Sequence, residues 1–215
     1  MKTLLDKTFL LNRTTGKFEE AEIFHGISAD NIAHVEGRWR PMFETRRRDA
    51  EAAGMTMADV NAEDYHWEWA KKAFGALNNP LLYDVFVIEC GGGTQAIMIT
   101  CKGGEDCFSR HHEHERAPLV YVELVATAPW NRPKLVATPT YKGPGRAMIG
   151  TAVSLSLEEE FEGRIGLHSL PGAEVFYRDA IGMTDFGIDK EGVHEGLRYF
   201  ELPRSRAATF FSLPH

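Results

Sequence analysis

The feature that most constrains the fold of this chain is a run of strand-like and helix-like segments between residues 119 and 183. The run opens with residues 119–129, which are rich in β-forming side chains and end at a proline. A glycine pair, Gly143 and Gly145, leads directly into a helical spacing of apolar residues, and a second strand-like segment follows. The order strand, glycine loop, helix, strand, helix predicts a βαβ unit with room for a phosphate-bearing ligand at its first turn.

Two helical regions are predicted upstream of this run. Residues 31–53 carry apolar side chains at a spacing of three to four, and Pro41 predicts a kink or a junction of two helices there. Asn61 is a candidate N-cap for a second helix that extends to residue 77 and carries several aromatic side chains. These aromatic residues either line an acceptor-substrate wall or cover a sheet.

Three further β-rich regions complete the predicted fold. Residues 18–24 are predicted as an edge strand, residues 85–100 as a hairpin around a glycine turn, and residues 196–202 as a final strand. The alternation with helices predicts an α/β (α+β) fold, a mixed sheet with helices on both faces.

Composition limits the class of protein. The chain has 215 residues, of which 43% are hydrophobic, which suits one compact domain, and no Ser/Gly-rich linker divides it. No apolar run is long enough to span a bilayer, and charge interrupts the short apolar stretch at the N-terminus. We therefore expect a cytoplasmic protein without a membrane partner.

Charge and metal-ligand spacing exclude two further classes of site. The net charge of −7 argues against nucleic acid as a partner, because phosphate binding needs a basic surface. Three cysteines, an odd number, are predicted to be reduced thiols. The histidine-rich segment 111–115 lacks the spacing of a zinc site, so no metal is expected.

The glycine loop is a candidate anion site. Glycines allow the backbone to approach an anion, and the following helix, Lys142 and Arg146 add positive charge. The spacing fits neither a P-loop nor a dinucleotide fingerprint, since Gly150 lies five residues past Gly145. A glycine pair before a helix is also a common turn device, so the loop alone leaves its ligand open.

Three segments of the run resemble the GCN5-related N-acetyltransferase (GNAT) superfamily. Residues 125–129 resemble the central strand of that family, which ends in a splayed gap. Residues 141–148 resemble its pyrophosphate loop, and residues 173–177 with Gly182 resemble its last core helix with its tyrosine. The resemblance implies a mostly antiparallel sheet with a splayed central strand pair, in one domain over residues 1–215.

The sequence departs from the family pattern at four places. Thr140 stands where Gln or Arg usually opens the glycine motif, and Leu170 stands where many relatives have an asparagine. Residues 133–139 form an insertion between strand and loop, and one extra residue separates Tyr177 from Gly182.

The resemblance implies acetyl-CoA as cofactor and CoA as product. On this model the pantetheine arm pairs with the end of the central strand, and the pyrophosphate rests on the glycine loop. The implied cofactor-binding residues are Val125, Ala126, Thr127, Tyr141, Lys142, Gly143, Pro144, Gly145, Arg146, Ala147 and Ser169. Residues 84–202 would hold this core, and residues 1–80 would form a helical part on the acceptor side.

Two side chains are the candidates for catalysis. Alternation along the strand places Glu123 on one face of an otherwise apolar segment, where burial would raise its pKa towards that of a base. The alternative is a structural carboxylate paired with an arginine. The resemblance implies that Tyr177 donates a proton to the CoA sulfur, whereas its alternative is core packing with Phe176. His168 is either another base or, as favoured here, a core histidine bonded to backbone.

The sequence thus predicts an acetyl-CoA-dependent N-acetyltransferase that acts on a primary amine of a small molecule or a protein. The alternative is a GNAT-like acyl-CoA-binding regulatory module without turnover. The acidic balance favours a cationic amine, and residues 39–69 and 102–118 are expected to form its pocket. The sequence leaves a homodimer open.

Overall fold

The computed structural model describes residues 2–212 and contains one sheet of nine strands. The strands are β1 (Thr3–Asn12), β2 (Lys17–His25), β3 (Tyr83–Cys90), β4 (Gly93–Cys101), β5 (Val120–Thr127), β6 (Tyr141–Lys142), β7 (Ile165–Ser169), β8 (Thr184–Ile188) and β9 (Arg198–Leu202). Their order in the sheet is β6-β1-β2-β3-β4-β5-β7-β9-β8. The sheet is mixed and mostly antiparallel, with flanking helices, which confirms the predicted fold class.

Within residues 2–212, five α-helices and several short helical turns connect the strands. The α-helices are α1 (Ala29–His34), α2 (Arg40–Ala52), α3 (Trp69–Leu77), α4 (Pro144–Glu158) and α5 (Arg204–Ala207). Two π-helical segments, Val35–Trp39 and Phe176–Ile181, extend helical regions. Within the described residues, no helix is long and apolar enough to cross a membrane.

The chain divides into two compact units. The first unit contains Met1–Ile99 and Val125–Met148, and the second contains Thr100–Leu124 and Ile149–His215. The prediction of a single domain stays a prediction.

The first unit is built on antiparallel pairs. β1 pairs with β2 along its length, β2 pairs with β3, and the short β6 joins the outer side of β1. β2 therefore has a strand on each side, and its prediction as an edge strand was wrong. The strand β1 was not predicted, and with β2 it makes residues 1–80 less helical than expected.

In the helical part of the first unit, the prediction at Pro41 is confirmed and the prediction at Asn61 is wrong. The prediction at Pro41 is confirmed, since α2 begins at Arg40 with the proline in its first turn, directly after a π-helical segment. Asn61 is not an N-cap. It has a left-handed φ of 53°, and only a 3₁₀ turn, Glu63–His66, precedes α3.

The second unit contains the parallel strand pair of the predicted βαβ unit. β5 pairs with β7 in parallel at Val120↔Ile165 and Tyr121↔Gly166. β7 then pairs with β9, and β9 with β8, in antiparallel fashion. The helix between the parallel strands is α4, which buries Met148, Ile149, Ala152 and Val153 completely. The strand-helix-strand order predicted from the glycine loop is confirmed.

Candidate functional site

The glycine loop lies in the first unit, between β6 and the N-terminus of α4. Gly143 has a φ of +113°, which side-chain-bearing residues rarely adopt, and an added Cβ would lie 3.4 Å from Cδ2 of Leu10. Its carbonyl oxygen accepts the first helical hydrogen bond, from the Ala147 N–H, at 2.9 Å. Glycine is therefore required here both for the turn and for its close approach to β1.

The start of α4 presents few backbone donors, but they point in one direction. Pro144 has no N–H, and the N–H of Ala147 bonds to Gly143. Helix geometry directs the remaining N–H groups of the first turn, that of Gly145 among them, out of the N-terminus. Lys142 is exposed and Arg146 half-buried beside them. These features together suit an anion.

The loop is held in place by a buried amide network. The Oε1 atom of Gln95 accepts hydrogen bonds from Trp130 Nε1 and Asn131 Nδ2, both at 2.9 Å. The Oδ1 atom of Asn131 in turn accepts the N–H of Tyr141 at 2.9 Å. The insertion 133–139 leaves from this anchored point, so it does not displace the loop that follows it.

Tyr141, a predicted cofactor contact, has its side chain engaged elsewhere. The hydroxyl donates to Oε2 of Glu19 at 2.7 Å, and the ring is buried. Burial, assisted by the bonds to Glu19 and Cys90, raises the pKa of this tyrosine. The side chain therefore anchors β6 and is not available to a ligand, and the N–H of Tyr141 is already bonded to Asn131.

The end of β5 is held by an arginine that no sequence pattern predicted. Arg132 is buried and donates to the carbonyl oxygen of Thr127 from Nε at 3.0 Å and from a terminal nitrogen at 2.7 Å. Both terminal nitrogens also bind the carboxylate of Asp64, at 2.6 Å each. The Thr127 carbonyl is thus occupied, which leaves the groups nearer Val125 for a strand-like ligand.

In the second unit, Tyr177 lies in the π-helical segment Phe176–Ile181. A π-helical turn accommodates one residue more than an α-helical turn. The segment ends at Gly182, in the left-handed conformation at φ +77°, whose N–H bonds to the carbonyl of Tyr177. The π turn thus absorbs the extra residue that separates Tyr177 from Gly182 relative to the GNAT pattern.

Tyr177 packs within the second unit. The residue is 7% exposed, and its ring meets Phe176 at 5.2 Å and Phe200 at 5.9 Å between centroids. Ser169, the remaining predicted cofactor contact, is also buried, and its hydroxyl donates to the carbonyl of Leu170 at 2.8 Å.

Glu123 is exposed, so the expected burial of this carboxylate was wrong. Its neighbours Val122 and Leu124 point to the other face of β5, and Tyr121, on the same face as Glu123, is buried. The apolar face of the strand therefore does not include the glutamate. Its charge nevertheless acts on Tyr121, whose pKa is raised by burial first and by Glu123 second.

The side chain of His168 is only 2% exposed, and it bonds to other side chains, so the expected bond to backbone was wrong. Its Nδ1 lies 2.8 Å from the Tyr121 hydroxyl, and its Nε2 lies 2.9 Å from Oδ2 of Asp189. No spacing in the sequence joins these three residues, because they come from two strands and a loop.

The two faces of the sheet in the second unit hold different groups. Adjacent residues of a strand point to opposite faces. In β9, Phe200 contacts Tyr177, whereas Tyr199 contacts His168, with 5.0 Å between ring centroids. Tyr177 and His168 are therefore on opposite sides of the sheet.

The described residues provide no evident metal site. Among residues 2–212, no group of three or more His, Cys, Asp and Glu side chains is arranged to hold a metal ion. In the same part of the chain, Cys90, Cys101 and Cys107 are buried thiols that form no disulfide.

Comparisons with known proteins identify the fold. No family model matches the sequence, and no curated protein matches it. FeeM, an N-acyl amino acid synthase from uncultured soil microbes, superposes with a TM-score of 0.51 at 11% identity, over 88% of this chain and 93% of that chain. An insect protein assigned as arylalkylamine N-acetyltransferase 7, from the yellow fever mosquito, gives the same TM-score and identity over 94% and 95%.

A third structure is named for the family itself. The GNAT domain of PAT from S. lividans matches 91% of this chain and 96% of its own, with 13% identity and a TM-score of 0.47. Together with the strand order and the parallel β5–β7 pair, the likeness to FeeM and the insect protein over nearly the whole length shows that this chain has the fold of the GNAT acetyltransferases.

Proposed function

We propose that this protein is an acetyl-CoA-dependent N-acetyltransferase that acts on a primary amine. The observation that carries the proposal is the start of α4, where Gly143 and Gly145 open a helix N-terminus between two basic residues within a GNAT fold. In this proposal, residues 1–215 form one acetyltransferase domain.

The residues present suit the phosphates of CoA. The positive φ of Gly143 would strain any residue with a Cβ, so the backbone at this point carries no side chain that would keep an anion away from it. Gly145 and Arg146 would supply N–H groups, while Lys142 and Arg146 would supply charge. Val125 and Ala126 would offer backbone groups to the pantetheine arm. The bound cofactor would supply an acetyl group activated as a thioester.

The chain would contribute proton transfer and charge. Tyr177 would give its hydroxyl proton to the departing sulfur, a role suited to a neutral, buried phenol. Glu123, exposed on β5, would attract a cationic amine rather than act as a buried base. The net charge of −7 supports an acceptor of this kind.

Binding and turnover test the proposal separately. Calorimetric titration should show that both CoA and acetyl-CoA bind, and a thiol-release assay should show turnover with members of an amine panel. Binding without turnover on any amine would instead support an acyl-CoA-binding module. Absence of CoA binding would exclude both functions.

The variant Gly145→Asp tests whether the glycine loop binds the pyrophosphate of CoA. A side chain and a negative charge at this position should reduce CoA affinity at least about 100-fold, because an aspartate would repel the phosphates and block their N–H donors. Gly75→Asp is the matched control, since Gly75 lies in α3 with nothing within 4 Å of an added Cβ. Normal CoA binding by Gly145→Asp would show that the loop does not hold the cofactor.

A further inference from the structure

Five side chains of the second unit form a connected polar group, here called the histidine cluster. They come from strands β5 and β7, from the 3₁₀ turn Glu105–Cys107 and from the loop between β8 and β9. The members are Tyr121, His168, Asp189, His194 and Asp106.

The buried half of the cluster is a hydrogen-bonded chain. The Nε2–H of His168 donates to Asp189, so Nδ1 of the same ring accepts the proton of the Tyr121 hydroxyl. Arg110 binds both oxygens of Asp189, at 2.8 and 3.0 Å. Arg110 lowers the pKa of Asp189 to about 2, and burial lowers the pKa of His168. This chain is therefore a neutral histidine and a tyrosine ordered by an ion pair.

The outer half of the cluster is a second histidine–carboxylate pair. Nε2 of His194 lies 3.1 Å from Oδ2 of Asp106 and 3.4 Å from the Tyr121 hydroxyl. Because the Asp106 carboxylate can only accept a hydrogen bond, it favours the His194 tautomer with hydrogen on Nε2. No residue within 2–212 forms a hydrogen bond with Nδ1 of His194. That nitrogen is then a lone-pair acceptor on a side chain that is 19% exposed.

The ring of His194 is held in position from two sides. It stacks on His168, with 4.0 Å between ring centroids and 16° between planes. Its loop is closed by backbone bonds from Gly196 N to Asp189 O at 2.8 Å and from Asp189 N to Leu197 O at 2.9 Å. An oriented imidazole with a carboxylate behind it and a free nitrogen in front is the usual form of a general base.

The cluster lies on the same face of β5 as Glu123. Residues two apart on a strand share a face and are about 7 Å apart, which places Glu123 one such step from Tyr121. The exposed carboxylate could therefore hold a cation beside the histidines. An exposed carboxylate is a weak base at neutral pH, whereas imidazole changes charge between pH 5 and 8.

We propose that His194 is the general base of the acetyl transfer, oriented by Asp106 and by the ring of His168. This inference rests on the proposed function. The acceptor nitrogen would form a bond to the acetyl carbon, and the C–S bond would break. The proton lost by the nitrogen would move to Nδ1 of His194, while the sulfur would take a proton from Tyr177. Because Tyr177 and the histidines lie on opposite sides of the sheet, the acid and the base would act on the thioester from opposite sides. His194, then an imidazolium paired with Asp106, releases its proton to water.

Several titratable and charged groups surround His194. Asp106 faces it from the 3₁₀ turn, Tyr121 from β5 and His168 from β7. Asp189 and Arg110 act on it through His168. His194 must be neutral to accept a proton, so kcat should fall at acid pH.

Kinetics of His194→Gln and Asp106→Asn test the assignment. His194→Gln should lower kcat about 100- to 10,000-fold and remove the acid limb of the pH profile. Asp106→Asn should lower kcat less and shift that limb, with CoA affinity unchanged in both variants. His25→Gln is the matched control, because His25 forms the same kind of pair with Asp84 at 2.9 Å. It should retain the wild-type profile.

A measurement without cofactor completes the test. Nitrogen-15 NMR of the cofactor-free protein should show His194 with its proton on Nε2, and Asp106→Asn should reduce that preference. If the wild type turns over and His194→Gln keeps the same kcat and pH profile, His194 is not the general base, although the proposed function stands. A proton on Nδ1 of His194 in the NMR measurement would also overturn this assignment. A wild type that binds CoA without turnover would overturn the proposed function, and with it the base.

Discussion

Arg132 shows how one side chain joins distant parts of the first unit. It is buried, binds Asp64 through two bonds of 2.6 Å, and holds the carbonyl that ends β5. Its guanidinium also lies 5.0 Å from the centre of the Phe43 ring. Every hydrogen-bonding direction of the arginine is thus used, and loss of one partner would leave a buried charge.

Asp64→Ala should therefore destabilise the protein by about 3–5 kcal/mol, since breaking a buried ion pair leaves the other charge uncompensated. Denaturant unfolding measures this. Glu51→Ala is the control, because the exposed pair of Glu51 with Arg47 should contribute about 1 kcal/mol or less. If the two variants lose equal free energy of unfolding, burial does not make the Arg132–Asp64 pair more important than the exposed pair.

The variant Tyr177→Phe tests whether the Tyr177 hydroxyl donates the proton that the departing sulfur takes up. The substitution keeps the ring that packs on Phe176 and Phe200 and removes only the hydroxyl. It should lower kcat about 10- to 100-fold with little change in the KM for acetyl-CoA, because the proton is needed only in the transition state. An unchanged kcat in steady-state assays would remove this role from Tyr177.

At the scale of elements, the pair β5–β7 and the β8–β9 loop are linked by the chain from Tyr121 through His168 to Asp189. Burial lowers the pKa of His168, so the folded protein resists protonation there while the unfolded chain takes up a proton near pH 6.5. The unfolded state then binds more protons, and stability falls as the pH drops below about 6.5.

His168→Gln should flatten this dependence. Unfolding free energies measured by denaturant between pH 7.5 and 5.5 should fall less steeply in the variant than in the wild type, whatever its overall stability. His112→Gln, at an exposed site, should keep the wild-type slope. Asp189 acts in the same direction, but at lower pH. Its lowered pKa of about 2 adds stability above about pH 4 that is lost on further acidification. Identical slopes for wild type and His168→Gln would contradict the buried, neutral state of this histidine.

The sequence predicted the presence of helices and strands better than it predicted which strands lie side by side in the sheet. The hairpin and the βαβ unit were predictable because a glycine turn between β-rich runs, and glycines before an apolar helix, are local signals. β1 was missed because most of its side chains are exposed, so it lacks a clear alternation. β8 was missed because it is short and contains a glycine.

The candidate site was predictable only where its residues are contiguous. The glycine loop and the segment around Tyr177 were found from local patterns. Glu123 was placed on the correct strand but not at the correct depth, since exposure depends on what covers the strand. The contacts of Arg132 with Asp64, and of His168 with Asp189, join residues far apart in sequence, and no local pattern reveals them.

At the scale of the whole molecule, the position of β6 has a consequence for folding. Its two residues pair with Leu11 and Asn12 of β1, from which they are separated by most of the chain. Pairings of such long sequence separation form slowly, because the intervening segment must first lose its freedom. During synthesis β1 and β2 emerge long before Tyr141 does. The turn at Gly143 can therefore take its final shape only late, and competence to bind an anion there should be among the last properties that the nascent chain acquires.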